Sequence, residues 1–196
     1  MARTQAADYE QRKEAIVEKS AALFARRGFN VASVADISRA CHTSKSLIYH
    51  YFPSKEDILY AVMASHIDQL VEDVREATAR PGEPIERMRL MLHAFMAHYA
   101  GAADRQRVLL NELGSLPEES RRDIVRKQRL VLNAVQMLVI ELYPQLGKDP
   151  VRARAQTMLL FGMINWAHTW FDPKGALSPN DLADMVLALI GPDQAS

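Results

Sequence analysis

The stretch "ACHTSKSLIYHYFPSKED", residues 40–57, crowds aromatic, hydroxyl and basic side chains onto one short segment and then halts at Pro53. A helix that only packs needs apolar residues every third or fourth place. It has no use for Ser44, Lys45, Ser46, Tyr49 and His50 in such close company. Just upstream, Ser33 precedes Val34, Ile37 and Ala40, with Asp36 three residues after the serine. That is an acidic variant of the capping box, and it starts a short helix over 33–41. His42–Thr43 reads as a turn, and Thr43 or Ser44 caps a second short helix over 44–51.

Two short helices joined by a tight turn have the spacing of a helix-turn-helix, whose second helix enters the major groove of a DNA duplex. Val34, Ile37, Leu47 or Ile48, and Phe52 are the residues expected to pin the unit. Thr43, Ser44, Lys45, Ser46, Tyr49 and His50 then face the groove, with Ser33 at the start of the first helix. Small hydroxyl side chains let the backbone approach the duplex. Lys45 reaches a phosphate or a guanine edge, and Tyr49 and His50 donate to phosphate oxygens. Ser54 and Lys55 open the next helix and place N–H groups and a cation where a phosphate can sit. Tyr51 and Phe52 read as core, and Cys41 as a small buried hydrophobe.

Outward from this segment the apolar period is helical almost everywhere. Ile16, Leu23 and Phe24 share a face over 8–27, and Gly28 stops that helix. A long helix capped by Ser54 runs over 54–80 to the break "RPGEP". The stripe Ile85, Met88, Leu92, Phe95, Met96 and Tyr99 forms another, and 104–113 a shorter one. A long helix begins near Pro117–Glu119 and ends at "PQLGKDP", one follows over 151–171, and the last lies at about 180–190. The expected fold is all-α with about nine helices. The helix from Val151 contains "MLLFGMINWAHTW", which is apolar on nearly every side. One face of it is expected to meet the core and the other a partner chain, with a central helix of a monomer as the competing reading; the amphipathic last helix offers a second interface surface, and Gly162 permits close approach of another helix.

Composition narrows the function classes. The 196 residues are 48% hydrophobic and carry 24 basic and 24 acidic side chains, so net charge is zero and a non-specific polyanion binder is disfavoured. The single cysteine excludes an intramolecular disulfide and fits a reducing compartment. The charged N-terminus is no secretory signal. The longest apolar run, near Met158–Ile164, is far short of the roughly 18–20 residues of a membrane span. These features point to a cytoplasmic protein with no membrane partner. Six histidines show no metal-ligand spacing, and there is no phosphate loop, nucleophile elbow or catalytic carboxylate pair, so no enzyme, cofactor, catalytic residue or metal is expected.

The run "FNVASVADISRACHTSKSLIYHYFPSKEDIL", and "IYHYFPSKEDIL" above all, resembles the DNA-binding domain of the tetracycline-repressor (TetR) family. The likeness covers about residues 9–69, with the motif over about 32–51. It implies a DNA-binding domain over 1–54 and a ligand-binding and dimerisation domain over 55–196. It implies a homodimeric, ligand-responsive repressor on palindromic double-stranded operator DNA. The last two helices of each subunit would form a four-helix interface. Two positions depart from the family pattern: His42 and Ser46 stand where many members have glycine. If the turn needs positive φ, histidine is tolerated there at some cost.

Candidate effector-pocket residues are Phe95, Met96, Tyr99, Gln128, Leu132, Met158, Phe161, Gly162, Asn165, Trp166 and His168, with core packing as the competing reading for the apolar ones. "FGMINWAHTWFDPKGALSPNDLADM" loosely resembles the branch that responds to acyl-coenzyme A thioesters. The arginine-rich start of the helix after Pro117 makes Arg121 and Arg122 candidate phosphate contacts. The implied effector is a small hydrophobic molecule, an acyl-CoA or aryl-CoA thioester. The competing reading is a helical protein-interaction module, or an activator with a different effector.

Overall fold

The computed structural model describes residues 2–191, and among these there are nine α-helices and no strand. The helices are α1 (Ala2–Arg27), α2 (Val34–Ala40), α3 (Lys45–Tyr51), α4 (Lys55–Ala79), α5 (Pro84–Gly101), α6 (Ala103–Asn111), α7 (Glu118–Leu142), α8 (Pro150–Trp166) and α9 (Pro179–Ile190). Short 3₁₀ turns follow α6, α7 and α8. The expected all-α fold is the observed one. Two helices differ clearly in extent: α1 starts at Ala2 rather than near residue 8, and α8 stops early. The helix expected over 151–171 ends at Trp166, where a 3₁₀ turn over Ala167–Thr169 takes over.

The helix starts show why these residues fold as they do. Ser33 accepts the Asp36 N–H at 3.2 Å while Asp36 accepts the Ser33 N–H at 2.9 Å, closing a reciprocal capping box at α2. Ser44, rather than Thr43, caps α3 by accepting the Leu47 N–H at 3.1 Å. Ser54 accepts the Asp57 N–H at 3.0 Å at the start of α4. Ser178 repeats the capping box with Asp181 at α9. Each side chain satisfies an amide that the helix itself leaves without a partner. At the other end of α1, Gly28 takes φ +78°, the left-handed turn that terminates a helix.

The chain forms two compact units. The first comprises the residues up to Ile67 together with Asp104–Val125; the second comprises Asp68–Ala103 and the residues from Arg126 onward. The first unit is cored by Ile16, Phe24, Phe29, Ile37, Ile48, Phe52, Ile58 and Leu59. Here α2 packs on α1 and on α3. In the second unit, α5 lies along α9, and Met88, Met91, Leu92 and Phe95 are fully buried. No described helix is long and apolar enough to cross a membrane.

Candidate nucleic-acid interface and effector region

Helix α3 has two chemically distinct faces. Ile48 is 0% exposed, and Ile37 and Phe52 are buried beside it. Of the pair Leu47 and Ile48, it is Ile48 that enters the core, while Leu47 is half-buried. The opposite face carries Lys45, Ser46, Tyr49 and His50, all exposed, with Tyr49 50% exposed. Among the described residues no hydrogen bond or ion pair engages these four side chains. They stand as a cation, a hydroxyl, a phenol and an imidazole open to an external partner.

The other expected groove residues divide by what already holds them. Ser33, Ser44 and Ser54 are spent as helix caps, so their contribution to a duplex would be a fixed backbone rather than a free hydroxyl. Thr43 is half-buried, and its N–H is held by the Ser38 carbonyl at 2.9 Å. Lys55 does not point its ammonium outward. Its Nζ donates to the Phe29 carbonyl at 2.9 Å and the Ala32 carbonyl at 3.1 Å, and lies 4.1 Å from the centre of the Phe29 ring. The lysine thus ties the start of α4 to the loop that follows α1. The same loop is held by Glu112, which accepts the Phe29 N–H at 3.1 Å.

The turn between α2 and α3 is tight enough to force its backbone. His42 has φ +50°, the one positive value among the described non-glycine residues. Asp36 carries three neighbours that favour its charged form. Its carboxyl is held at about 2, first by the Ser33 hydroxyl, then by the Ser33 N–H, with Arg39 and Arg27 adding to it. Cys41 is half-buried, and burial pushes its thiol up from the ordinary value.

One aromatic neighbour of α3 went unseen in the sequence. Tyr9 of α1 lies 4.7 Å from the Tyr51 ring and 6.3 Å from the His50 ring. No periodic signal links residues so far apart, and Tyr51, expected in the core, is half-buried.

In the second unit, the structure brings together part of the expected effector set. Phe95 lies 6.2 Å from Tyr99 and 6.4 Å from Phe161, and the Tyr99 hydroxyl donates to Asn165 Oδ1 at 2.9 Å. Met96 is buried on the same helix, and Gln128 and Leu132 are half-buried on α7. His168 is half-buried, with Nδ1 2.5 Å from the Asn165 carbonyl. Met158, Gly162 and Trp166 lie elsewhere. They line an apolar groove of about 920 Å³ on the outer side of α8 and α9, with Leu159, Met163 and Met185. Arg121 and Arg122 belong to the first unit, and both pair with Glu118. No cluster of metal-ligating side chains occurs among the described residues.

A family model described as tetracyclin repressor-like, C-terminal domain, matches residues 81–191, and one described as bacterial regulatory proteins, tetR family, matches residues 16–62. The chain belongs to the TetR family of transcriptional regulators; it is a DNA-binding regulator and not an enzyme. A TetR-family regulator from Bordetella parapertussis 12822 is similar at 39% identity and TM-score 0.88, over 91% of this chain and 93% of that one. AibR, solved in complex with isovaleryl coenzyme A and operator DNA, is similar at 26% identity and TM-score 0.79, over 92% and 98% of the two chains. The repressor KstR2 of Mycobacterium tuberculosis is 26% identical over 91% of this chain and 90% of its own.

Proposed function

We propose that this regulator is a homodimeric repressor that holds a palindromic operator through α3 and is released by a small hydrophobic effector, an acyl-CoA or aryl-CoA thioester. The observation that carries the reading is the exposed, unengaged polar face of α3 set directly opposite a fully buried Ile48. Lys45, Ser46, Tyr49 and His50 make the direct contacts. Thr43, the capping serines Ser33, Ser44 and Ser54, and the anchored Lys55 hold the backbone that presents them.

The dimer reading rests on the outer face of α8 and α9. Leu159 is 70% exposed and Trp166 65%, and the neighbouring Met158, Met163, Met185 and Leu189 are exposed as well. An apolar surface of this extent on a regulator calls for a protein partner, and a second copy of the same face satisfies it. The effector reading centres on Phe95, Met96, Tyr99, Phe161 and Asn165, with His168 bonded to the Asn165 carbonyl and the half-buried Gln128 and Leu132 as further candidates of the same unit. Apolar walls with one polar pair suit the acyl or aryl portion of a thioester. The similarity to AibR supports the coenzyme A portion.

Selection of bound duplexes from a random pool tests the DNA reading. The expected product is an inverted repeat with half-sites about one helical turn (~34–36 Å) or a multiple apart. Uniform weak binding to every duplex would overturn it. Thermal shift with acyl-CoA, aryl-CoA and the corresponding free acids tests the effector. A shift with the thioesters alone supports the coenzyme A reading, and equal shifts with the acids remove it.

A further inference from the structure

The DNA-facing histidine at the end of α3 is braced by a residue outside the helix-turn-helix. The His50 ring is exposed, and among the described residues no hydrogen bond or ion pair holds it. Two aromatic rings do. Tyr51 meets it nearly edge-on at 5.3 Å and 82°, and Tyr9 meets it at 6.3 Å and 81°. Tyr9 and Tyr51 in turn lie 4.7 Å apart. Edge-to-face contacts at these separations are the favoured arrangement of aromatic rings. One turn along α1, Lys13 sets its ammonium 6.0 Å from the centre of the Phe52 ring, so the same face of α1 covers the end of α3 at two successive points.

A surface imidazole without such neighbours samples several rotamers, and a phosphate contact must then overcome the entropy of choosing one. Flanking rings remove that freedom before DNA arrives. Tyr9 is 37% exposed, so its value to the core is modest, and among the described residues no hydrogen bond holds its hydroxyl. We propose that Tyr9 is a positioning residue for operator binding, acting through His50: its ring holds the imidazole in the orientation that meets a backbone phosphate. This inference rests on the DNA-binding reading above.

A double-mutant cycle on the full-length protein, read by fluorescence anisotropy on the selected operator, tests it. Tyr9→Ala and His50→Ala are each expected to weaken binding about 5–10-fold. The double variant is expected to lie within twofold of His50→Ala, because Tyr9 has nothing left to position. Tyr9→Phe keeps the ring and is expected to bind within twofold of wild type. Titrations are run at a temperature where circular dichroism shows every variant folded. Wild-type affinity in Tyr9→Ala, strictly multiplicative losses in the double variant, or an equal loss in Tyr9→Phe would each overturn the inference while leaving the DNA reading intact. A wild-type protein that selects no duplex at all would remove both.

Discussion

Helices α3 and α8 each bury one face and leave the other exposed, and the exposed faces are chemical opposites. On α3, Ile48 is inside and Lys45, Ser46, Tyr49 and His50 are outside. On α8, Ala153, Thr157, Leu160 and Ile164 are inside, while Met158, Leu159, Met163 and Trp166 are outside. Water satisfies the first surface and is poorly served by the second. The difference limits the kind of partner that each face suits. A polar face with unengaged donors suits phosphate oxygens and base edges, whereas an apolar face suits another apolar face.

Charging the outer face of α8 is expected to have the largest effect. Leu159→Arg places a cation at the centre of the exposed apolar face, where a symmetric pair would bring two cations together. Sedimentation should show a monomer in place of a dimer. Operator affinity should fall by roughly a hundredfold or more, since joined half-sites gain about 10²–10⁴ over separate ones. Because Leu159 is already exposed, helix content should not change. A variant that remains dimeric would show that α8 serves something other than self-association.

At α3 and the start of α4, two lysines look alike in sequence and differ in place. Lys55→Met removes the bonds to the Phe29 and Ala32 carbonyls, and hydrogen bonds involving a charged group contribute about 1.5–3 kcal/mol. Denaturant unfolding should show that loss, with the salt dependence of operator binding unaltered. Lys45→Ala should behave in reverse. Surface changes stay within about 0.5 kcal/mol of wild-type stability. Operator affinity should nonetheless fall about tenfold, and the slope against salt should drop by about 0.9 for one lost phosphate contact. An unchanged slope with reduced sequence discrimination would move Lys45 from the phosphates to a base edge.

A smaller effect is expected at His42. Its φ of +50° costs an ordinary side chain energy that glycine avoids, partly offset by glycine's greater freedom when unfolded. His42→Gly should therefore raise stability by about 0.5–1 kcal/mol, seen as a later urea midpoint at constant slope.

These sites differ in how far they could be read from the chain alone. The caps at Ser33, Ser44, Ser54 and Ser178 bond amides three residues away, so their partners are visible in any short window. The helix-turn-helix is legible for the same reason. Lys55 finds its acceptors 23 and 26 residues back, and Glu112 reaches an amide 83 residues away. Such contacts exist only once the helices have packed, and a lysine beside a cap reads equally well as a phosphate ligand. Helix α8 fails differently. It is apolar almost all round, so periodicity carries no information about which side is inside. Phe161 and Asn165 could not be separated in advance from Met158, Gly162 and Trp166, although the first pair meets Phe95 and Tyr99 and the others line the outer groove.

The finest comparison sets the capping box of α2 against that of α9. Asp36 and Asp181 both sit three residues after a capping serine, and in both the serine hydroxyl is the leading reason that the carboxyl stays charged to lower pH. Only Asp36 also has cations beside it, Arg39 in contact and Arg27 at 3.6 Å. A carboxyl whose folded value lies below its unfolded one stabilises the fold in full above the unfolded value, near 3.8, and loses that contribution as pH falls through the folded value, about 2 here. The stability difference between wild type and Asp36→Asn should therefore be constant above about pH 5 and shrink progressively between about pH 5 and pH 1. High salt screens the arginines but not the serine hydrogen bonds. Adding salt should therefore move the Asp36 carboxyl resonance titration upward and leave that of Asp181 nearly where it was. If both move together, the arginines are not what distinguishes the α2 cap from the α9 cap.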